Sequence, residues 1–514
     1  MLIRLIISIF LFPPAASWAA TINVKAFDSD GNLLNTRDFL RYVAPLSHAE
    51  NGVAPEKSGL YLADNNGMIA DGSPWWDTSS EEPAWTWKNA DRVQISLPWP
   101  IARDGFSTVT LDGGGKGYMD GQSILLNEEI ALTAYKRLQA SLSQRKSEKP
   151  PYTPSVKVRK MTDRAQDAMH RAHGAKEPRK RAQLFDKALS QISYAWQQAL
   201  FERGRQIISD PKLGSRQRFG LSLDETLIDR MREFPKIADD IADSGATWVR
   251  LVFDANLRDF TYSKKNSFSA YDQFVGLLEE RKIRVMGSVL DSMLWPKNIT
   301  PDAYHDRARN LALHYKDRIR SWEIASEPNT HWIGGVKTTL KKEDVLLTVQ
   351  KGVVAIKGVD KTLETVATLH WWEGTAARPE HALFTWLDWA TPRGFGRGID
   401  VIGLSIYPHR HPMGLAFDSV FSQLYRRFPD KQLMLGGYSY GDGAELQGYW
   451  WFDPRNLKAS RKDLMVLYLG IASAIPNGVA GGFYWPTLRL MIPPDKKPTS
   501  VYAVYRRNLN RLKK

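Results

Sequence analysis

Between residues 217 and 507 the chain alternates short Val-, Ile- and Leu-rich runs with amphipathic stretches, eight times over. The runs predict strands at Phe219–Leu223, Trp248–Phe253, Arg284–Val289, Ile319–Ile324, Leu363–Leu369, Val401–Ile406, Leu433–Leu435 and Gly481–Trp485. Helical periodicity falls between them, as at Ile237–Ser244, Tyr271–Arg281, Tyr304–Tyr315 and Leu464–Ala474. Apolar strands separated by helices imply a parallel sheet covered on both faces. Eight such units predict a (β/α)8 barrel, with an open doubly wound sheet as the alternative. No G-x-G-x-x-G or G-x-x-x-x-G-K-[ST] follows any of these strands, so nucleotide binding has no support.

Upstream the period changes twice. Residues 20–124 alternate in twos, as in Thr21–Phe27 and Arg92–Leu97, with turns at Asp30-Gly31-Asn32 and Gly113-Gly114-Gly115. They predict an all-β, sandwich-like accessory domain. Asp28–Asn32 resembles a calcium loop faintly but lacks the distal Glu, and reads as a hairpin turn. Trp75, Trp76, Trp85 and Trp87 form either a sugar-stacking face or part of a core. Residues 125–211 are helical: Phe185, Leu189, Ile192, Trp196 and Leu200 share one face of a long helix. The expected element is a basic helical hairpin or linker.

Composition narrows the picture. At 514 residues, with 43% hydrophobic and 25% charged positions, the chain is globular rather than disordered. It has no cysteine, which excludes disulfides, thiolate metal sites and thiol nucleophiles. The net charge is +14, and residues 141–181 hold twelve Lys/Arg against four Asp/Glu, or +8. That segment reads as a solvated hairpin or as a contact for an acidic polysaccharide or an anionic membrane surface. Arg4, the apolar run Leu5–Phe12 and the small-residue site Ser17-Trp18-Ala19 predict a secretory signal over residues 1–19. The mature chain is expected to carry no transmembrane segment and to be exported, periplasmic or secreted, which weakens a nucleic-acid reading of its charge.

In a (β/α)8 barrel the working residues sit at the C-terminal ends of the strands. Here those ends offer Asp224, Arg250 with Asp254, Asp291, Glu327, His370 with Trp371, Tyr407 with His409, and Trp485. Carboxylates and aromatic faces converging on one mouth suit sugar chemistry. Asp224 and Asp291 read more readily as helix caps or partners of a cation. The strongest motif is Ser321-Trp322-Glu323-Ile324-Ala325-Ser326-Glu327-Pro328-Asn329. It resembles the W-E-x-x-N-E-P segment that ends strand four of clan A glycoside hydrolases, retaining (β/α)8 enzymes. Thr247–Arg250 is similar to their second strand, Asp400–Pro408 to the sixth strand of the endo-galactanase-like members, and Gly481–Trp485 to the eighth. The resemblance implies Glu327 as general acid/base, Trp485 as a stacking platform, and Arg250 and Tyr407 as groups around the nucleophile.

Two positions depart from that pattern. Ser326 stands where the family has an Asn that contacts the sugar, and Gly437 stands where the seventh strand carries the nucleophilic Glu. Asp442 or Glu445 in the following loop is a candidate second carboxylate, as nucleophile or as base on a water. The alternative is a barrel that no longer hydrolyses and holds glycan during exopolysaccharide handling. His370, His409 and His411 form no metal motif, and no G-x-S-x-G context supports a serine hydrolase. The expected protein is therefore a glycoside hydrolase-like protein that acts on an internal glycosidic bond of a polysaccharide, with Glu327 as general acid/base and no cofactor or metal. Its sugar site includes Ser326, His370, Trp371, Tyr407, His409 and Gly437, and the charge leans toward an acidic polymer.

Overall fold

Buried β-branched runs and capped amphipathic helices account for most of the observed elements. Thr300 accepts a hydrogen bond from the Ala303 amide, and Pro301 opens the helix Pro301–Tyr315. Tyr304, Arg307, Ala308, Leu311, Ala312 and Tyr315 are its buried stripe. The computed structural model describes residues 20–43, 60–64, 83–88, 90–101, 105–254, 268–296, 298–335, 340–371, 379–407, 413–439, 470, 472–475 and 477–513. The expected signal segment 1–19 and Trp75, Trp76, His409, His411, Asp442 and Glu445 lie outside these residues.

The N-terminal strands form two three-stranded sheets. In the first, β1 (Ala20–Lys25) lies between β3 (Ala84–Trp87) and β6 (Ser123–Leu125). In the second, β4 (Gln94–Ile101) lies between β2 (Tyr61–Ala63) and β5 (Gly105–Leu111). β4 carries Pro98 and Pro100, yet β2 pairs with it only at residues 94–96, so neither proline breaks that ladder. Helix α1 (Thr36–Tyr42) packs Phe39 on Trp85 and Tyr42 on Trp99, joining the two sheets. Trp85 and Trp87 are buried, so these two rings are core and not a sugar face. The Asp28 carboxylate accepts from the amides of Asp30 and Asn32, which confirms a self-satisfied turn.

Three helices follow: α2 (Leu126–Lys146), α3 (Val156–His173) and α4 (Pro178–Ser209). α3 packs on α4, and so does α2. Phe185, Leu189, Ile192, Trp196 and Leu200 are all buried, as their spacing requires. Two devices fasten this unit to the barrel. Arg145 of α2, itself buried, binds Asp418 at 2.6 Å and the Ala474 carbonyl at 3.1 Å. Gly204 of α4 lets the backbone of Gly470 come so close that any Cβ would collide with its carbonyl.

The remaining strands close into a parallel barrel of eight, β7 (Arg218–Leu223), β8 (Trp248–Val252), β9 (Arg284–Ser288), β10 (Ser321–Ser326), β11 (Glu364–His370), β12 (Val401–Ile406), β13 (Gln432–Tyr438) and β14 (Gly478–Tyr484). β14 pairs with β7, so no edge remains. Trp248, Met286, Val366, Val401, Met434, Val479 and Phe483 form a separate apolar cluster contributed by the barrel strands. Among the described residues no helix is long and apolar enough to cross a membrane.

Substituting Gly204→Val should force α4 off its contact with Gly470 and cost about 1–3 kcal/mol. The expected readout is a lower urea midpoint, and an unchanged midpoint would show that this close approach holds nothing together.

Candidate functional site

The site begins with a charge in the wrong place for a barrel strand. Glu323 sits in the middle of β10 and is 1% exposed. An isolated carboxylate there would be very costly, so its partners decide whether the strand is tolerated. Arg250 of β8 donates to it through Nε at 2.8 Å, Ser288 of β9 through its hydroxyl at 2.6 Å, and Thr368 of β11 at 2.6 Å. Arg250 also reaches Ser222 at 3.1 Å, Asp291 at 3.0 Å and Ser326 at 3.2 Å. Burial opposes the guanidinium charge, but Glu323 and Asp291 outweigh it and hold its pKa above the ordinary value. The result is a polar layer that ties β7 to β11 across the barrel interior.

Glu327 follows the last residue of β10 with φ at 50°, in the left-handed region that side chains other than glycine seldom adopt. Its amide donates to the Thr368 carbonyl at 2.7 Å, which fixes the bend. Four donors converge on the Glu327 carboxylate. The Ser405 hydroxyl lies at 2.5 Å and the Tyr407 hydroxyl at 3.2 Å from Oε1. The Trp332 indole N–H lies 3.3 Å from Oε2, and His370 Nδ1 is 3.5 Å from Oε1. Burial pushes the Glu327 pKa up, but His370 and the hydrogen bonds of Ser405 and Trp332 overcome it and bring the pKa down to about 2. Glu327 is an anion at neutral pH. Tyr407 moves the opposite way: burial and the neighbouring Glu327 charge keep its phenol protonated and donating.

Gly437 stands beside this cage. β12 and β13 pair Ser405 with Gly437, and neighbours in register point to the same face of a sheet. A Cβ on Gly437 would sit 3.7 Å from the Ser405 Cβ and 4.0 Å from the Phe483 carbonyl oxygen, both ordinary contacts. The position next to the Glu327 cage therefore accommodates a Cβ that this chain does not have.

Other expected residues fall variously. Trp485 is 39% exposed and meets Tyr407 edge to face at 6.3 Å. Ser326 binds Arg250 rather than standing free at the mouth. His370 stacks near Tyr407, with ring centroids 5.8 Å apart. Trp371 packs in the main hydrophobic core, 1% exposed. Asp224 caps the turn at Thr226, and Asp291 both caps Met293 and pairs with Arg250, as their sequence context suggests. Among the described residues no group of three or more His, Asp or Glu is placed to hold a metal ion.

The sequence reading passed over Glu323, Ser405, Trp332 and Glu225. Glu323 carried a signal, being one charge within a run that must be buried on both faces. Ser405 carried none, because a serine in a strand has no period of its own. Glu225 opens the turn after β7; burial first, then Asp224, Asp291 and Asp254, raise its pKa. The mouth thus holds carboxyls shifted in opposite directions.

No family model and no curated protein matches this chain. Solved structures do resemble it. The GH53 catalytic domain of Ignisphaera aggregans is 16% identical, with 59% of this chain and 93% of that one covered at a TM-score of 0.37. Xylanase 10B of Thermotoga maritima is 12% identical over 61% of this chain and 97% of its own, at a TM-score of 0.40. Fungal β-1,4-galactanases are 12% identical over 56% of this chain and 99% of theirs, at 0.42.

Arg250→Met should destabilise the fold by about 3–5 kcal/mol, because it strands the Glu323 charge inside the barrel. Adding Glu323→Leu should restore much of that loss in chemical denaturation; a double variant as weak as the single would refute the pairing. The Glu327 pKa is depressed on folding, so its contribution is present above about 4.5 and lost as the pH falls toward about 2. Glu327→Gln should therefore flatten the fall in stability across that window, measured by urea unfolding at each pH.

Proposed function

We propose that this chain is a glycoside hydrolase-like protein that binds a polysaccharide across the barrel mouth and cleaves an internal glycosidic bond there, with Glu327 as general acid/base. The supporting observation is the convergence of four donors on one strained, buried carboxylate, with Tyr407 and the exposed Trp485 beside it. An aromatic face for a pyranose ring next to a fixed carboxylate is the arrangement glycoside cleavage uses. The reading includes export of the chain and needs no cofactor.

Cleavage requires Glu327 to begin with a proton, which it gives to the leaving oxygen. A second carboxylate then attacks the anomeric carbon or takes a proton from the attacking water. Gly437 supplies no such group. Asp442 or Glu445 is proposed for it, and its arrival would also raise the Glu327 pKa from about 2 by like-charge repulsion, loading the acid. One specific observation favours a second reading. With glycine at 437 and Glu327 held as an anion, the barrel suits retention of a glycan strand without cutting it.

Endo-hydrolysis of a polysaccharide panel, read by falling viscosity and reducing ends, decides between them. In the first reading wild type cuts, and Glu327→Gln loses about 10²–10⁴-fold in rate while glycan affinity stays close to wild type. Turnover that survives Glu327→Gln would refute the acid assignment. In the second reading wild type binds without cutting, and Gly437→Glu, whose Cβ would make only ordinary contacts, gains measurable hydrolysis.

A further inference from the structure

The basic excess of residues 141–181 is not spread evenly over the helices. Arg145 is consumed by Asp418, Arg159 by the Pro154 carbonyl, Arg179 by the Asp30 carbonyl and Arg181 by Glu128. Of the eight others, Lys146, Lys149, Lys176 and Lys180 lie at helix ends and turns, while Lys157, Lys160, Arg164 and Arg171 are all exposed on α3, and none of these four is in an ion pair among the described residues. At 100° per residue these four fall within one narrow stripe, running about 21 Å along the helix at 1.5 Å per residue. The stripe turns toward α4. The Lys157 ammonium donates to Gln198 of α4 at 3.0 Å and lies 5.2 Å from the ring centroid of Tyr194. Tyr194 is 41% exposed, and Lys187 stands two turns before it on the same face of α4. A shallow groove lined by Val156, Lys157, Lys160, Met161 and Arg164 opens at this flank.

We infer that the flank of α3 facing α4 is a binding groove for one linear, carboxylated polysaccharide strand, separate from the barrel mouth. A row of cations at one- and two-turn spacing matches a polymer with regularly spaced carboxylates. Tyr194 supplies a face on which a sugar ring stacks beside the Lys157 charge. The shape argues against a flat partner. The buried stripe of α3, Val158, Ala165, Ala168, Met169 and Ala172, points into the bundle. The residues opposite it, the outermost on the helix, include exposed Asp163 and Asp167, while the cations lie about a quarter-turn to one side. An anionic membrane plane would meet the two carboxylates first, whereas a thin strand settles along the flank. The groove does not depend on the mouth, so its failure leaves the proposed reaction standing, and the reverse.

Calorimetric titration of the full chain with polygalacturonate, with neutral dextran as control, tests the groove. Binding to polygalacturonate and not to dextran is expected, weakening as salt rises. Lys160→Glu with Arg164→Glu, both exposed and outside the mouth, should weaken it about tenfold or more. Arg506→Glu with Arg507→Glu, an equal charge change on the exposed face of the helix Ser500–Lys513, should leave it within about twofold. Equal losses in the two pairs would reduce the effect to net charge and overturn the inference. So would absence of binding, or capture of phosphatidylglycerol vesicles or duplex DNA with polygalacturonate left unbound. Binding to polygalacturonate that Trp485→Ala abolishes would place the strand at the mouth and overturn it as well.

Discussion

The buried pair of Arg250 and Glu323 is the constraint on which the working end of this barrel depends. One guanidinium bonds side chains of β7, β8's neighbour β9 and β10, and the carboxylate it neutralises bonds Thr368 of β11. Charges taken this far from water are expensive, and a buried pair contributes little stability over an apolar replacement. What it contributes is position. Ser326 and Asp291 are both fixed by Arg250, and the Glu327 backbone continues directly from Ser326 and is pinned to Thr368. The polar layer determines where the strained carboxylate stands, so the same interaction that could not be read as stabilising holds the site in register.

Electrostatics divide the molecule. Asp224, Glu225, Asp254, Asp291 and Glu327 occupy the strand ends and the turns that follow them, while Lys157, Lys160, Arg164 and Arg171 line a flank of the helical unit. A net charge of +14 therefore describes neither region. It also explains why the Glu327 pKa is low. No second carboxylate stands at Gly437 to repel it, Ser405, Tyr407 and Trp332 donate to it, and His370 Nδ1 lies 3.5 Å away. The anchoring of α2 and α4 through Arg145 and Gly204 gives the two regions a fixed relation.

Much of the fold was legible along the chain. The eight Val-, Ile- and Leu-rich runs all became barrel strands, with ends displaced by at most a few residues, because burial on both faces leaves a parallel strand little choice of composition. The stripe Phe185 to Leu200 was equally plain, since a helix that packs must repeat its apolar positions. Helix α1 was not anticipated: at seven residues it is too short for a period, and its support is the rings of Trp85 and Trp99. The two tryptophans of β3 could be core or a sugar platform on sequence, because sequence alone does not say which face of a strand a second element covers; burial makes them core.

The sequence by itself determined the strand-and-helix alternation, the left-over charge of the basic segment, Glu327 at the end of the fourth barrel strand and the glycine at 437. These are local properties: period, sign and identity. Tertiary structure decided the rest. Only barrel closure brings Ser405 and Tyr407 of β12 and its following turn, and His370 of β11, onto a carboxylate some 40 to 80 positions away. Only that convergence reverses the pKa that burial alone would have given Glu327, because a charge deep in a protein takes its state from neighbours the chain order does not name.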